Sequence, residues 1–164
     1  MRIEAEIRYE AGPEAVGAML ADPTVVDRKC AATGALQHTV DVQGDATGPF
    51  TVTTVRTMPT DNFPDVARRF VGDTIDIRQE DVWNAPAADG SRTGVITVAI
   101  GGAPLRLNGT LRLDADGEGT RELIDGDLKA SVPVLGGKLE KASEPALRMA
   151  IRKEQQVGTD WLAR

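Results

Sequence analysis

The sequence has little of the residue types on which most metal and nucleophilic sites depend. Its 164 residues contain one cysteine, Cys30, and one histidine, His38. A lone cysteine excludes an intrachain disulfide, and one histidine with one cysteine cannot form a zinc site of the usual nitrogen and sulfur type. The paired glycines before Lys138 do not form a phosphate-binding loop, because Leu139 stands where a hydroxyl is needed. We therefore predict no metal, no cofactor and no catalytic residue.

Long apolar runs and clusters of basic residues are also missing. No stretch approaches the roughly 20 apolar residues that span a bilayer, and the first ten, MRIEAEIRYE, lack the apolar core of a signal peptide. The formal net charge is −6, and no run of lysine or arginine is present to contact phosphates. We expect a cytoplasmic protein with no transmembrane segment and no nucleic-acid partner.

What the sequence does contain is the composition of a folded protein. Apolar residues make up 41% and charged residues 27%, which is typical of a globular chain rather than a disordered one. No internal repeat or linker divides the chain, and its length suits one domain, so we predict a single domain over residues 1–164. The oligomeric state stays open between monomer and dimer.

Apolar periodicity predicts a strand, two short helices and six further strands. Residues 2–9 alternate apolar and charged side chains, as a half-buried strand does, and Pro13 and Pro23 each suit the first position of a helix. Residues 60–71 are expected to form a short helix or lid, with Asn62 as a possible cap. Short turns imply antiparallel neighbours. The six later strands are expected at 36–42, 50–58, 75–83, 95–100, 105–113 and 124–132.

After Pro133 the apolar period becomes helical. Apolar residues recur three, four or seven positions apart from Leu135 to Trp161 and form one stripe. A helix of about 30 residues is roughly 40 Å long, and Pro145 should kink it. The order β-α-α-β6-α thus predicts an α+β fold in which a twisted antiparallel sheet packs one face on this helix.

Several inward positions of this predicted fold carry small residues. Small side chains permit close approach of helix and sheet, or they leave unfilled volume between them. Because protein interiors are close-packed, we favour close packing. These positions are Gly109, Gly126, Ala130, Ala142, Ala146 and Ala150.

The order of elements and three segments resemble a known superfamily. The segment VPVLGGKLEKASEPALRMAIRKEQQVGTDWL at 132–162, with EDVW at 80–83 and GGAPLRLNGTLRL at 101–113, is similar to an uncharacterised actinobacterial family of the DUF2505 type. That family belongs to the helix-grip superfamily (SRPBCC), which includes START domains, Bet v 1-like proteins and polyketide cyclases. The resemblance implies a curved seven-stranded sheet wrapped around the last helix, with a cavity for a lipid, a polyketide or a similar hydrophobic molecule. It supplies no catalytic residues.

Polar side chains on otherwise apolar strand faces are candidates to line such a cavity. His38, Arg56, Gln79 and Asp81 all alternate with apolar residues. Burying such groups costs several kcal/mol unless they are paired or face water. They therefore either lie near strand ends and pair with one another, or orient the polar end of a ligand.

The last helix offers one more polar candidate. Lys153 lies 18 residues after Leu135, which is about five whole turns, so it should return to the centre of the apolar stripe. If the kink at Pro145 rotates the helix, Glu154 becomes the inward residue instead.

Together these candidates predict one ligand-binding site and two functions for it. Binding or transport of a hydrophobic small molecule is favoured. The alternative is a cyclase- or hydratase-like enzyme, with His38 or Asp81 as the acid–base group and Arg56 polarising a carbonyl; it requires both candidates to point to one side of the sheet. The predicted ligand-binding residues are His38, Arg56, Gln79, Asp81 and Lys153 as polar contacts, Phe63 and Phe70 as a gate, and Ile77, Trp83, Leu128 and Met149 as apolar contacts.

Overall fold

The computed structural model describes all of residues 1–164 as seven strands and four helices. The strands form one antiparallel sheet in the order β1-β7-β6-β5-β4-β3-β2. The predicted order β-α-α-β6-α is confirmed, with one short helix inserted between β3 and β4. The elements are β1 (Arg2–Tyr9), α1 (Pro13–Leu20), α2 (Pro23–Ala32), β2 (Gln37–Gly44), β3 (Phe50–Pro59), α3 (Asp65–Val71), β4 (Thr74–Trp83), β5 (Arg92–Gly101), β6 (Leu105–Asp116), β7 (Gly119–Ala130) and α4 (Gly136–Leu162).

Local signals explain where the first helices begin. Pro13 and Pro23 are the first residues of α1 and α2, and the Asp22 side chain accepts a hydrogen bond of 2.8 Å from the Thr24 amide. A proline at this position needs no hydrogen-bond partner for its nitrogen, and an aspartate cap satisfies a free amide. In α3 the predicted cap is wrong, because Pro64 occupies the capping position and Asn62 lies outside it.

Two strands begin several residues earlier than predicted. β5 begins at Arg92 rather than at residue 95, and β7 begins at Gly119 rather than at residue 124. Both extensions keep the alternation of the strand, so Arg92 and Glu122 join the inner face and are buried. The inner face of the sheet therefore carries more charged residues than the sequence prediction gave it.

The long helix α4 lies across the inner face of the sheet and contacts α1, α2, α3, β1 and β7. It begins at a tight turn after β7, where a Cβ atom on Gly136 would lie 2.6 Å from the carbonyl oxygen of Ala130. Only glycine fits such an approach. No helix of the structure, α4 included, is both long enough and apolar enough to cross a membrane.

The interior divides into two apolar clusters. The packed cluster lies beneath α1 and α2 and includes Phe50, whose ring stacks on that of Trp83 with centroids 6.3 Å apart. The cavity cluster lies beneath α3 and the first turns of α4. Its buried members are Ile3, Ala67, Leu105, Leu107, Leu128, Ala130 and Leu139.

Candidate ligand-binding site

A cavity of about 180 Å³ lies between α4 and the inner face of the sheet. Sixteen of its 23 lining residues are hydrophobic, so its body suits an apolar molecule. A single water needs only about 15 Å³ of such space, so the cavity has room for a small ligand. Pro64 and Arg106 line the cavity and are also exposed, and the cavity therefore reaches the surface beside α3.

Three alanines on α4 account for this unfilled space. Ala142, Ala146 and Ala150 are spaced one helical turn apart and all line the cavity. Each contributes only one methyl group to a lining that also includes Leu107 and Leu128 on the sheet. The expectation of close packing is therefore wrong at these alanines.

Close packing is confirmed at the two inward glycines of the sheet. Gly109 and Gly126 face each other across β6 and β7. A Cβ atom on Gly109 would lie 2.6 Å from the Cα atom of Gly126, so no larger residue fits without moving the strands.

An ion pair between sheet and helix forms the polar end of the cavity. Nη1 of Arg56 on β3 lies 2.9 Å from Oε1 of Glu154 on α4, and both residues line the cavity. Arg56 also donates a hydrogen bond of 3.2 Å to Oγ1 of Thr33. Because both charges are largely buried, removing either one would leave the other without compensation.

Beyond this ion pair lies a smaller space, which we call the polar chamber. Its volume is about 40 Å³, and its lining includes Arg56, Glu154, Lys29, Thr54 and Asp81. Arg56 and Glu154 thus separate the apolar cavity from the polar chamber and face both.

Asp81 is the titrating group of the polar chamber. Burial raises the pKa of Asp81 to about 7, the hydrogen bond from Gln79 opposes the rise, and the negative charges of Glu154 and Glu122 add to it. Nε2 of Gln79 donates to both carboxylate oxygens of Asp81 at 3.1 Å. Asp81 therefore exchanges its proton near neutral pH, as a general acid or base requires.

Several buried polar atoms around the chamber have no hydrogen-bond partner. Oγ1 of Thr54 and Nε of Arg56 belong to residues that line the chamber, and Oε2 of Glu122 belongs to a carboxyl group whose charge acts on Asp81. Burial also raises the pKa of Glu122. Since buried polar atoms are normally paired, these groups mark a place where a polar part of a ligand can bind.

The predicted polar contacts fall into two places. Arg56 and Gln79 line both the cavity and the polar chamber, and Asp81 lines the chamber. His38 shares their face of the sheet, because it is directly opposite Arg56 in the register. It lines neither space, and its Nε2 lies 2.7 Å from Oδ1 of Asp27 on α2.

The predicted apolar contacts are also divided. Phe63, Ile77 and Leu128 line the cavity. Trp83 lines the polar chamber as part of the packed cluster. Phe70 packs against the cavity cluster without lining the cavity.

The structure places Met149 and Lys153 away from the site. The Met149 side chain is 51% exposed, Lys153 is exposed, and neither lines the cavity or the chamber. Counting five helical turns from Leu135 predicted the wrong direction for the Lys153 side chain. Leu135 precedes the helix and is itself exposed, so it does not mark the inward side. Counting four residues on from Ala150 gives Glu154, the inward residue named as its competitor.

Two inward residues were missed for an identifiable reason. Glu122 has the same parity as Ile124 and Leu128 on β7, so extending the predicted strand toward its start would have found it. Lys29 is half-buried on α2 and reaches the polar chamber, which no local pattern indicates.

Cys30 is buried, as expected of a small core residue. Burial raises the pKa of its thiol, so the reactive thiolate is disfavoured. No three His, Cys, Asp or Glu side chains lie close enough together to hold a metal ion.

Comparison with known sequences gives one family and several relatives. A family model described as "Protein of unknown function (DUF2505)" matches residues 4–162. The uncharacterized protein Rv0481c of Mycobacterium tuberculosis is 28% identical over 129 residues, which cover 76% of this chain and 74% of the relative. The uncharacterized protein Mb0491c of Mycobacterium bovis matches with the same values.

Comparison with solved structures shows the fold. TTHA0849 from Thermus thermophilus superposes with a TM-score of 0.63 at 17% identity, covering 98% of this chain and 95% of the other. The Zhui aromatase/cyclase from Streptomyces gives 0.62 at 14%, covering 100% and 94%. A START superfamily protein from Mycobacterium smegmatis gives 0.56 at 11%, covering 98% of both chains. The predicted α+β helix-grip fold is confirmed.

Proposed function

This chain belongs to the DUF2505 family, whose function is unknown, and we propose from its cavity that it binds or transports a hydrophobic small molecule of lipid-like or polyketide-like character. The observation that carries the proposal is an apolar cavity between α4 and the sheet that ends at the buried pair of Arg56 and Glu154. Apolar walls with a few convergent polar groups are the usual form of a small-molecule site. The likeness to a START superfamily protein and to an aromatase/cyclase supports this class of function.

In this proposal the ligand lies along α4. Its apolar body contacts Ile77 and Leu128 on the sheet and the alanines of the helix, and its polar end reaches Arg56 and Gln79. Phe63, beside α3, lies over the route by which the cavity reaches the surface.

A neutral fluorescent dye tests the proposal. Nile red should bind the purified protein saturably, with one site per chain. Ala150 is half-buried and lines the cavity, so Ala150→Leu places a larger side chain there and should weaken binding by about tenfold, since a clash of 1.4 kcal/mol suffices for that. Met149→Leu places the same leucine side chain on the exposed side of the same helix and should leave binding unchanged. Absence of saturable binding, or equal loss in both variants, would contradict the proposal.

A second function, an enzyme that adds or removes water, is supported by Asp81. Its pKa of about 7 and the shared lining with Arg56 suit an acid–base group beside a residue that polarises a carbonyl. His38 is the weaker candidate, because it pairs with Asp27 and lines neither space.

Loss of water from a β-hydroxyacyl thioester separates the two functions. An enzyme should form the unsaturated thioester at a rate that Asp81→Asn lowers by about a hundredfold or more, while Nile red binding is retained. A binding protein should give no product with either form.

A further inference from the structure

We propose that the polar end of the cavity selects a ligand whose polar group is uncharged, a hydroxyl or a carbonyl, and rejects free carboxylic acids. This inference rests on the proposed function and names the chemistry of the end of the ligand that meets Arg56 and Glu154. It follows from the charges around that end and from the unpartnered atoms there.

Carboxyl groups outnumber cations around the polar end. Glu154 on α4 and Asp81 on β4 line the polar chamber, and Glu122 on β7 is near enough for its charge to act on Asp81 and to feel that of Glu154. The cations are Arg56 on β3 and Lys29 on α2. A carboxylate brought in by a ligand would be the fourth acidic group at this position.

Arg56 is already paired, and Lys29 lies near enough to the other two carboxyl groups for their charges to interact. Arg56 lies 2.9 Å from Glu154, and the charge of Lys29 acts on Asp81 and Glu122, whose pKa values it lowers against the effect of burial. A ligand carboxylate would have to displace Glu154 from Arg56, compete with Asp81 and Glu122 for Lys29, or remain unpaired. A buried charge without a partner costs several kcal/mol.

The unpartnered atoms suit a neutral group instead. Thr54 is 3% exposed and Arg56 is 7% exposed; both line the polar chamber, and Oγ1 of Thr54 and Nε of Arg56 have no hydrogen-bond partner. Nε of Arg56 donates, and the threonine hydroxyl donates or accepts. A ligand carbonyl can accept from either group, and a ligand hydroxyl can also donate to Thr54.

A cationic ligand fits less well than a neutral one. An ammonium group only donates hydrogen bonds, so it would leave the unpartnered Nε of Arg56 without an acceptor. The charges of Arg56 and Lys29, which both line the chamber, would also repel it.

Displacement of Nile red by decanol, decanoate and decylamine tests the inference. These ligands have the same chain length and differ in their polar group. At about pH 8, where decanoate is ionised and decylamine is protonated, decanol should displace the dye at a concentration about tenfold lower than either charged ligand. Decanoate or decylamine binding as tightly as decanol would overturn the inference. Nile red would still bind the cavity in that case, so the proposed function would stand.

A charge variant assigns the selection to this site. Glu154→Gln releases Arg56 and should improve decanoate binding by about tenfold while changing decanol binding much less. Glu144→Gln removes the same charge elsewhere on α4 and should leave the order of the ligands unchanged. Equal effects of the two variants would contradict the assignment.

A second variant covers the case in which Glu154→Gln does not fold, which circular dichroism would show. Asp81→Asn removes a different carboxyl from the polar chamber and should also favour decanoate relative to decanol. An unchanged ratio of the two affinities in that variant would overturn the inference.

Discussion

The middle of α4, from Ala142 to Glu154, lies over a cavity, whereas its last two turns lie against closely packed side chains. Both parts carry small residues on the side that faces the sheet. Ala150 is half-buried and lines the cavity, while a Cβ atom on Gly158 would lie 2.8 Å from Cε1 of Tyr9 and 3.1 Å from Sδ of Met19. A small residue on a helix thus indicates a cavity or a close contact according to the side chains opposite it.

Introducing one leucine in each of these two parts of α4 should give the largest difference in the free energy of unfolding. Gly158→Leu forces a side chain against Tyr9 and Met19 and should lower the free energy of unfolding by about 3 kcal/mol, since overpacking of a filled core costs this much. Ala150→Leu enters the cavity and should change the free energy of unfolding by less than about 1 kcal/mol, because the added methyl groups are buried without displacing others. Urea unfolding followed by circular dichroism measures both.

The opposite order of these two values would break the comparison. If Ala150→Leu were the more destabilising variant, the part of α4 from Ala142 to Glu154 would be the closely packed one. Gly137→Leu is the matched control, because a Cβ atom on Gly137 meets nothing within 4 Å and this residue is exposed at the start of the same helix.

The boundary between the cavity and the closely packed side chains is polar. The free energy of unfolding should therefore depend on pH. Because burial raises the pKa of Asp81 to about 7, the folded protein holds a proton that an unfolded aspartate releases near pH 3.9. The free energy of unfolding should therefore fall as pH rises from about 4 to 7, by roughly 1 kcal/mol per pH unit, and stay low above that range. Glu122, whose pKa burial also raises, contributes with the same sign.

Asp81→Asn should make this pH dependence shallower and should raise stability at about pH 8. Urea unfolding at several pH values measures the slope. Glu80 directly precedes Asp81 on β4 and lies on the other face of the sheet. Glu80→Gln is therefore the matched control and should keep the wild-type slope. Equal slopes for Asp81→Asn and the wild-type protein would show that other groups control the pH dependence.

Most of the fold could be predicted because its signals are local. Pro13, Pro23 and the alternation of residues 2–9 each report the backbone of their own segment. The polar end of the site could be predicted only in part, since Arg56, Gln79 and Asp81 stand out on apolar strand faces whereas Lys29 does not. Whether the alanines of α4 face a filled or an empty space depends on residues more than ten positions away, which no local pattern reports.

The smallest expected effect concerns the entry of a ligand into the cavity and its release. Phe63 lines the cavity and is half-buried, so Phe63→Ala should lower stability by only about 1 kcal/mol, well below the cost of truncating a fully buried phenylalanine. The same change should widen the route beside α3 and speed the release of Nile red several-fold, which stopped-flow fluorescence measures.

Phe70→Ala separates this effect from a general loosening of α3. Phe70 packs against the same cluster from the same helix region but does not line the cavity. Its truncation should therefore cost similar stability and leave the release rate close to that of the wild-type protein. If both variants released the dye equally fast, access would be set by movement of the whole segment 60–71 rather than by the Phe63 side chain. In that case the cavity region would differ from the closely packed region in the mobility of segment 60–71 as well as in the space beneath α4.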